Sequence, residues 1–207
     1  MIEVAVTKLE RKEVPFAVGV LARGMRDNPN SIGVWGDDPL QRLGGLHHIF
    51  NGVFRVTAQE PLVARRGDWI VGVCGMLAPG RCQPSPPDML RMAPALLRLG
   101  PVRASRLGRW FRVWGERDPQ ERHWHLGPVA VEPALQWMGV GSQLMERFCE
   151  KMDAEGELAY LETEKPENVR FYEKFGFETV GEALVLGAPN WFMRREPTQG
   201  REAKDEL

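Results

Sequence analysis

The hydrophobic pattern is most regular in the second half of the chain, residues 121–195. It predicts a strand at His123–Val131 ("HWHLGPVAV"), a glycine loop, a helix to about residue 153, a strand at 158–164 and a helix at 166–175. "FETVGEALVL" and "NWFMRR" follow as a predicted hairpin. Because crossover connections are right-handed, the two earlier strands run parallel if they are neighbours. We therefore expect an α/β (α+β) fold with a central twisted mixed β-sheet flanked by helices.

The first half of the chain combines helical and strand patterns. Apolar positions indicate helices at about residues 11–26 and at about 40–50, where His47 and His48 lie. The run Trp69–Leu77 ("WIVGVCGML") predicts a buried strand, and the preceding "VFRVTAQEPLVARRGD" contains a candidate antiparallel partner. The proline-rich residues 78–87 are interpreted as a connection within one domain.

A third helical pattern covers residues 87–115 and carries an aromatic stripe. Its members fall at i, i+3, i+4 and i+7 with arginines between them: Leu107, Trp110, Phe111 and Trp114. Arginine interleaved with tryptophan can clamp nucleic acid, whereas an amphipathic helix with a solvated arginine face explains the same pattern. We favour the amphipathic helix, because the rest of the chain supplies no compensating basic surface.

Length and charge limit the functional classes. A chain of 207 residues is long enough for one domain, which buries roughly 70% of the surface that its unfolded chain exposes. The 27 Lys and Arg balance 28 Asp and Glu, so no overall field draws the protein to nucleic acid or anionic lipid. A small-molecule ligand fits this balance better. The apolar residues 14–22 are too few to span a bilayer.

Cysteine usage and the chain end bear on the compartment. The three cysteines, Cys74, Cys82 and Cys149, form no CxxC pair, which argues against a disulfide framework or a zinc ribbon. We therefore expect a reducing, cytoplasmic environment. The final "KDEL" has the form of a retrieval signal of the endoplasmic reticulum. We interpret residues 196–207 instead as a charged, disordered tail.

Two glycines in "VAVEPALQWMGVGSQLM" indicate an anion-binding loop. Gly139 and Gly141 lie between the predicted strand and helix, where unpaired helix-opening amides can bind a phosphate that no β-carbon obstructs. The dinucleotide pattern GxGxxG fails at Leu144, and the Walker pattern fails at Ser142. What remains is Q-x-x-G-x-G from Gln136, which by itself also fits a plain tight connection.

Residues 126–182 resemble the acyl-CoA-binding half of the GNAT superfamily of N-acetyltransferases. "LGPVAVEPALQWMGVGSQLM" is similar to the fourth strand and pyrophosphate loop, and "NVRFYEKFGFETVGE" to the following helix and strand. "YLET", "FYEKFGFE" and the late W-x-M-x-R-x-P are similar to the puromycin N-acetyltransferase group. The resemblance implies a GNAT-like fold in a single domain, residues 1–207. About 1–120 would form the acceptor side, for which we find no motif, and about 121–195 would bind acetyl-CoA.

The resemblance implies acetyl-CoA as cosubstrate, and we expect no metal. The loop amides would hold its pyrophosphate, the fourth strand would pair with its pantetheine arm, and Asn168 would contact that arm. The implied cofactor-binding residues are Val129, Ala130, Val131, Gln136, Trp137, Met138, Gly139, Val140, Gly141, Ser142, Asn168, Phe171 and Tyr172. Trp137 takes a position that is often glycine in relatives. Because that position contributes its amide, we expect no loss of binding.

The resemblance also implies that Tyr172 is the acid that protonates the leaving thiolate. Asn168, Phe171, Tyr172 and Phe175 share one helix face. The same spacing fits a simple core stripe whose tyrosine hydroxyl bonds to backbone. The oxyanion donor would be a backbone amide of the fourth strand near Val129 to Val131.

The general base stays open among Glu162, His123, His125 and ordered water. His123 and His125 share a strand face and could be two metal ligands, but the sequence places no third ligand beside them. Glu162 fits a structural hydrogen bond as well as a base.

The leading hypothesis is an acetyl-CoA-dependent N-acetyltransferase that acts on a small-molecule amine, with direct attack of the amine on the thioester. Acetylation of a protein amine is the alternative acceptor class. A non-catalytic acyl-CoA binding or sensing module is the alternative from a different class. We expect no nucleic-acid or membrane partner, and a homodimer is left open.

Overall fold

A computed structural model describes residues 2–56, 60–82 and 85–198, and its sheet contains seven strands. The elements in chain order are β1 (Ala5–Lys8), α1 (Val14–Gly24), α2 (Pro29–Trp35), α3 (Pro39–Val56), β2 (Leu62–Arg66), β3 (Trp69–Leu77), α4 (Pro86–Arg98), α5 (Gly100–Gly115), β4 (His123–Val131), α6 (Val140–Glu155), β5 (Leu158–Thr163), α7 (Pro166–Glu173), β6 (Glu178–Val185) and β7 (Ala188–Arg195). The predicted mixed sheet flanked by helices is confirmed.

The strand order is β1-β2-β3-β4-β5-β7-β6. The β4 and β5 strands are parallel, as predicted from the crossover, and the other neighbouring strands are antiparallel. β2 is the predicted antiparallel partner of β3. The observed bounds of β3 and β4 are those predicted from the sequence.

Helices cover both faces of the sheet, so the protein has two hydrophobic cores. On one face, Trp124 and Leu126 of β4 pack with Leu144 and Phe148 of α6. On the other face, buried residues of α1, α3 and α5 pack against β2, β3 and β4, where Ala130 faces them. Strict alternation would put residues 124, 126 and 130 on one face, but the register shift of β4 against β3 between Leu126 and Val129 turns Ala130 to the other face.

β4 and β5 separate part-way along their length. Their paired residues run only from His123 with Leu158 to His125 with Tyr160, although β4 continues to Val131 and β5 to Thr163. Beyond Tyr160, β5 stays paired with β7, while β4 stays paired with β3. The central sheet therefore opens between β4 and β5, at the side where both strands end.

The helical pattern predicted at residues 87–115 is confirmed, and it forms two helices, α4 and α5, which Leu99 separates. Gly100 has a φ of +75°, and Pro101 behind it has no N–H with which to continue a helix. The aromatic stripe is buried only in part. Leu107 and Trp110 are buried, whereas Phe111 is 42% exposed.

The remaining differences from the sequence predictions concern the first half of the chain and its C-terminal tail. β1 and α2 were not predicted, and α3 extends beyond both ends of the helix predicted at about residues 40–50. Thr198 of the predicted disordered tail is ordered, with its backbone N 2.8 Å from Asp153 Oδ1. Residues 199–207, with the terminal "KDEL", lie outside the described residues.

Candidate active site

The glycine loop leads directly into α6. Gly139 is the N-cap of α6 with a φ of +90°, a left-handed conformation that glycine adopts without a steric penalty. Trp137 is also left-handed, with a φ of +65°, and its side chain is 85% exposed. This backbone conformation explains physically why glycine suits position 137. The first turn of α6 presents amide groups toward this loop.

Gly141 faces the end of β4 and the middle of α7. A β-carbon at Gly141 would lie 3.4 Å from Phe171 Cζ and 3.8 Å from Val131 Cγ2. Three residues from two separate motifs therefore meet at one place. We call the space beside Gly141, bounded by Phe171 and Val131, the cradle at Gly141. It is narrow enough that a branched side chain at this position would fill it.

Side-chain hydrogen bonds fix the loop to its surroundings. Gln136 Nε2 donates to the Val131 carbonyl at 3.2 Å, which ties the start of the loop to the end of β4. The backbone N of Ile2 donates to the Met138 carbonyl at 2.8 Å. Gln143 Nε2 donates to the Ile2 carbonyl at 2.7 Å, so the N-terminal segment braces the loop from outside.

The end of β4 bonds to β3 on one side only. Val129 and Ala130 are in register with Cys74 and Val73 of β3, and β5 has already turned away on the other side. Ala130 is buried, whereas Val129 and Val131 are half-buried. This edge of β4 faces the opening between the strands, where an extended ligand could pair with its backbone.

α7 borders the same opening from the β5 side. Asn168 is half-buried, and its Nδ2 donates to Thr163 Oγ1 at 3.0 Å. Tyr172 is buried and lies edge-on between Phe171 and Phe177, with ring centroids 5.3 and 5.8 Å away. Burial raises the pKa of the Tyr172 hydroxyl above its usual value. The phenol therefore stays protonated at neutral pH.

Sequence reasoning missed Glu164, which directly follows β5. Glu164 is only 4% exposed, and a hydrogen bond links its carboxyl to Asn28 from the segment between α1 and α2. Its Oε1 atom makes no hydrogen bond within the described residues. Burial raises the pKa of this carboxyl. No spacing in the sequence connects Glu164 with Asn28, so only the fold reveals the contact.

The other three candidate bases lie together at the closed end of the opening. His125 Nε2 lies 3.1 Å from Glu162 Oε2, and His123 is adjacent on the same face of β4. The sequence argument that no third ligand lies beside the histidines is wrong. Asp118 and Cys82, from the segments that follow α5 and β3, bring donor atoms within 4.8 Å of both histidines.

Electrostatics in this cluster favour positive charge on the imidazoles. Burial opposes protonation of His123, but Asp118 and Cys82 outweigh it and raise the pKa to about 10. Burial likewise opposes protonation of His125, whose pKa nevertheless lies well above the usual value because of Glu162 and Asp118. Burial opposes ionisation of Cys82, but the neighbouring imidazoles of His123 and His125 outweigh it and lower the pKa of the thiol. The acidic groups around the two imidazoles therefore stabilise positive charge at this place.

A separate cavity of about 770 Å³ lies between α5 and the β6–β7 hairpin, with Arg106, Arg109 and Leu186 in its lining. It includes none of the residues predicted to bind the cofactor. Among the described residues, no helix is both long and apolar enough to cross a membrane.

Comparison with known proteins gives a family match over most of the chain. The model of the acetyltransferase (GNAT) family matches residues 26–177. The structure is also similar to a crystal structure described as histone acetyltransferase HPA2 and related acetyltransferase from Corynebacterium glutamicum. The TM-score is 0.72 at 22% identity, covering 95% of this chain and 98% of that one.

Two further solved structures share the fold at lower identity. One is polyamine N-acetyltransferase from Drosophila melanogaster, with a TM-score of 0.64, 13% identity and coverage of 94% of this chain and 100% of that one. The other is a ribosomal-protein alanine N-acetyltransferase from Escherichia coli, with a TM-score of 0.53, 12% identity and 94% coverage of both chains.

Proposed function

Because the chain belongs to the acetyltransferase (GNAT) family, we propose that it transfers the acetyl group of acetyl-CoA to an amine of a small molecule. Enzymes of this family use acetyl-CoA as cosubstrate. The observation that carries the proposal is the opening between β4 and β5, with the glycine loop at one side and Tyr172 and Glu164 at the other.

The residues around the opening fit acetyl-CoA. The cradle at Gly141 is free of a β-carbon where the first amides of α6 point outward, which suits a pyrophosphate. The one-sided edge of β4 at Val129 to Val131 suits an extended amide-containing arm such as pantetheine. Asn168, at the rim formed with Thr163, is positioned for a polar contact with that arm.

The proposed chemistry uses two proton transfers. When bound, acetyl-CoA supplies an acetyl group activated as a thioester. Glu164 accepts a proton from the acceptor amine, and its raised pKa makes it a stronger base than an exposed carboxylate. The amine nitrogen forms the new bond to the acetyl carbon as the carbon–sulfur bond breaks. Tyr172 donates its hydroxyl proton to the departing sulfur, and a backbone amide of β4 stabilises the oxyanion.

Glu164 suits the role of base better than the other candidates. Glu162 and His125 are paired with each other at 3.1 Å, and His123 contacts Cys82 and Asp118, so these candidates already have partners. Glu164 instead has an oxygen without a hydrogen bond within the described residues and contacts the acceptor-side half through Asn28.

Two observations support a small-molecule acceptor. The motifs in "YLET" and "FYEKFGFE" are similar to the puromycin N-acetyltransferase group, and the Drosophila protein of the same fold is a polyamine N-acetyltransferase. The protein from Escherichia coli acts on a ribosomal-protein alanine, so a protein amine is the alternative acceptor.

A thermal shift assay followed by an acceptor screen tests the proposal. Acetyl-CoA should raise the melting temperature, whereas NAD and ATP should not, because the loop lacks their spacing. The screen would include agmatine, polyamines, an aminonucleoside and a peptide with a free N-terminal alanine, with thiol release and product mass as readouts. Equal stabilisation by NAD, or none by acetyl-CoA, would overturn the proposal.

A further inference from the structure

Four donor atoms converge from three separate segments of the chain. Cys82 Sγ, one carboxylate oxygen of Asp118 and one ring nitrogen each of His123 and His125 all lie within 4.8 Å of one another. Cys82 follows β3, Asp118 follows α5, and both histidines belong to β4. The acetyl-transfer chemistry proposed above uses none of these four side chains.

An outer contact orients each histidine ring so that its other nitrogen faces the cluster. His123 Nδ1 donates to the Glu121 carbonyl at 2.7 Å, which leaves Nε2 to face Cys82. His125 Nε2 lies 3.1 Å from Glu162 Oε2, which leaves Nδ1 to face Asp118. Such outer hydrogen bonds to a carbonyl or a carboxylate typically orient histidine ligands of metal sites.

The separations between the donor atoms fit tetrahedral coordination. Ligand atoms at about 2.0–2.3 Å from a zinc ion lie about 3.3–3.7 Å from one another in a tetrahedron. The Cys82 Sγ to His123 Nε2 distance is 3.3 Å, and Asp118 Oδ1 lies 3.3 Å from His123 Nε2 and 3.7 Å from His125 Nδ1. The site is thus already close to the size that one ion requires.

We propose that Cys82, Asp118, His123 and His125 bind one Zn²⁺ ion. One thiolate, two imidazoles and one carboxylate are ligands that suit zinc, whereas Mg²⁺ and Ca²⁺ prefer oxygen. Zinc binds a thiolate and neutral imidazoles, so the proton of the Cys82 thiol and any proton on the coordinating ring nitrogens pass to the buffer as the bonds form. Four protein ligands fill the coordination sphere, and the ion joins three segments beside the active site as a structural element.

A metal-free hydrogen-bonded cluster is the competing explanation. It accounts for the contact between Cys82 and His123, but it leaves His125 Nδ1 buried with no hydrogen bond within the described residues. The separation of 3.7 Å from Asp118 Oδ1 is too long for such a bond. A bound cation gives His125 Nδ1 a partner and also explains the contact between Cys82 and His123.

Metal titration of the full-length chain tests the site. The protein is treated with a chelator, dialysed and titrated with Zn²⁺ by calorimetry, and with Co²⁺ by absorption spectroscopy. We expect one Zn²⁺ per chain, a higher melting temperature with Zn²⁺, and the sulfur-to-cobalt charge-transfer band of a tetrahedral thiolate site with Co²⁺. Calorimetry in two buffers of different ionisation enthalpy should show the released proton.

Substitutions identify the ligands. Cys82→Ser should abolish the charge-transfer band, and Asp118→Asn should weaken Zn²⁺ binding at least about tenfold. Glu162→Gln should weaken it about 10- to 100-fold by removing the negative charge behind His125. His47→Ala, at an exposed histidine of α3, is the control and should bind like the wild type. Absence of binding at micromolar Zn²⁺, or equal binding by Cys82→Ser and the wild type, would overturn the proposal whether or not acetyl transfer is confirmed.

Discussion

His125 Nε2 and Glu162 Oε2 lie 3.1 Å apart, where the pairing of β4 with β5 ends. His125 is the last residue of β4 in register with β5, and Glu162 lies two residues beyond its partner Tyr160. The contact therefore spans the two strands at the point where they begin to diverge. It closes the narrow end of the opening with a polar pair whose side chains are 15% and 2% exposed.

Replacement of Glu162 by alanine should destabilise the fold. The substitution leaves Nε2 of the half-buried His125 without its carboxylate, which costs about 1–3 kcal/mol of unfolding free energy. Urea unfolding measures the change. Glu150→Ala, which breaks an exposed pair with Arg147, is the control and should lie within about 0.5 kcal/mol of the wild type. Equal stability of the two variants would contradict a structural role for the pair.

Glu164→Gln should lower kcat/KM by about 10²- to 10⁴-fold, the usual range for a positioned base. In the wild type, activity should rise with pH as Glu164 loses its proton, at a pH above its ordinary value of 4.5 because burial raises its pKa. The variant should lose this limb of the pH profile. Glu173→Gln, on the exposed side of α7, is the control and should retain the wild-type kcat/KM and the rise of activity with pH. If Glu164→Gln keeps the whole rise of activity with pH, the general base is another group.

Tyr172→Phe should reduce kcat by about 10²-fold or more, because the ring stays packed but the acid is gone. The affinity for acetyl-CoA should change little. Steady-state kinetics with an amine from the screen, together with calorimetry, separates the two quantities. A tyrosine that only fills the core predicts normal turnover and a loss of about 1 kcal/mol of stability.

Asp153 should make stability depend on pH at the acidic end. Hydrogen bonds from the buried Arg195 and from Thr198 hold its pKa below the ordinary value of 3.8. A carboxyl with a lowered folded-state pKa stabilises the protein above its unfolded value, and this contribution is lost as pH falls through the folded value. Asp153→Asn should thus cost about 1–3 kcal/mol near pH 7 and progressively less toward about pH 3. Urea unfolding at both values checks this, and a pH-independent difference would contradict it.

The sequence was most informative where local pattern and tertiary structure agree. The bounds of Trp69–Leu77 and His123–Val131 follow from apolar runs bounded by turn residues, and the parallel pairing follows from the crossover. The helical pattern at residues 87–115 did not reveal the division into α4 and α5, because helical periodicity continues through Leu99.

Only those residues of the candidate site that lie in recognisable motifs were predictable. Gly141 and Phe171 come from two such motifs, and the structure places them in contact range. Glu164 with Asn28, and Cys82 with Asp118, are joined only by the fold, since their sequence separations carry no periodic signal. Buried contacts between loops depend on how distant segments pack, which a local pattern does not specify.

Calorimetric titration of acetyl-CoA into the wild type, Gly141→Ala and Gly141→Val tests the central claim, which is that the cosubstrate binds at the glycine loop. The β-carbon of alanine would make an ordinary contact at 3.4 Å from Phe171 Cζ, so Gly141→Ala is the matched control. We predict one site in the wild type, affinity within about tenfold of it in Gly141→Ala, and a loss of about 100-fold or more in a folded Gly141→Val. Unchanged affinity in a folded Gly141→Val variant would contradict the account, because acetyl-CoA would then bind elsewhere.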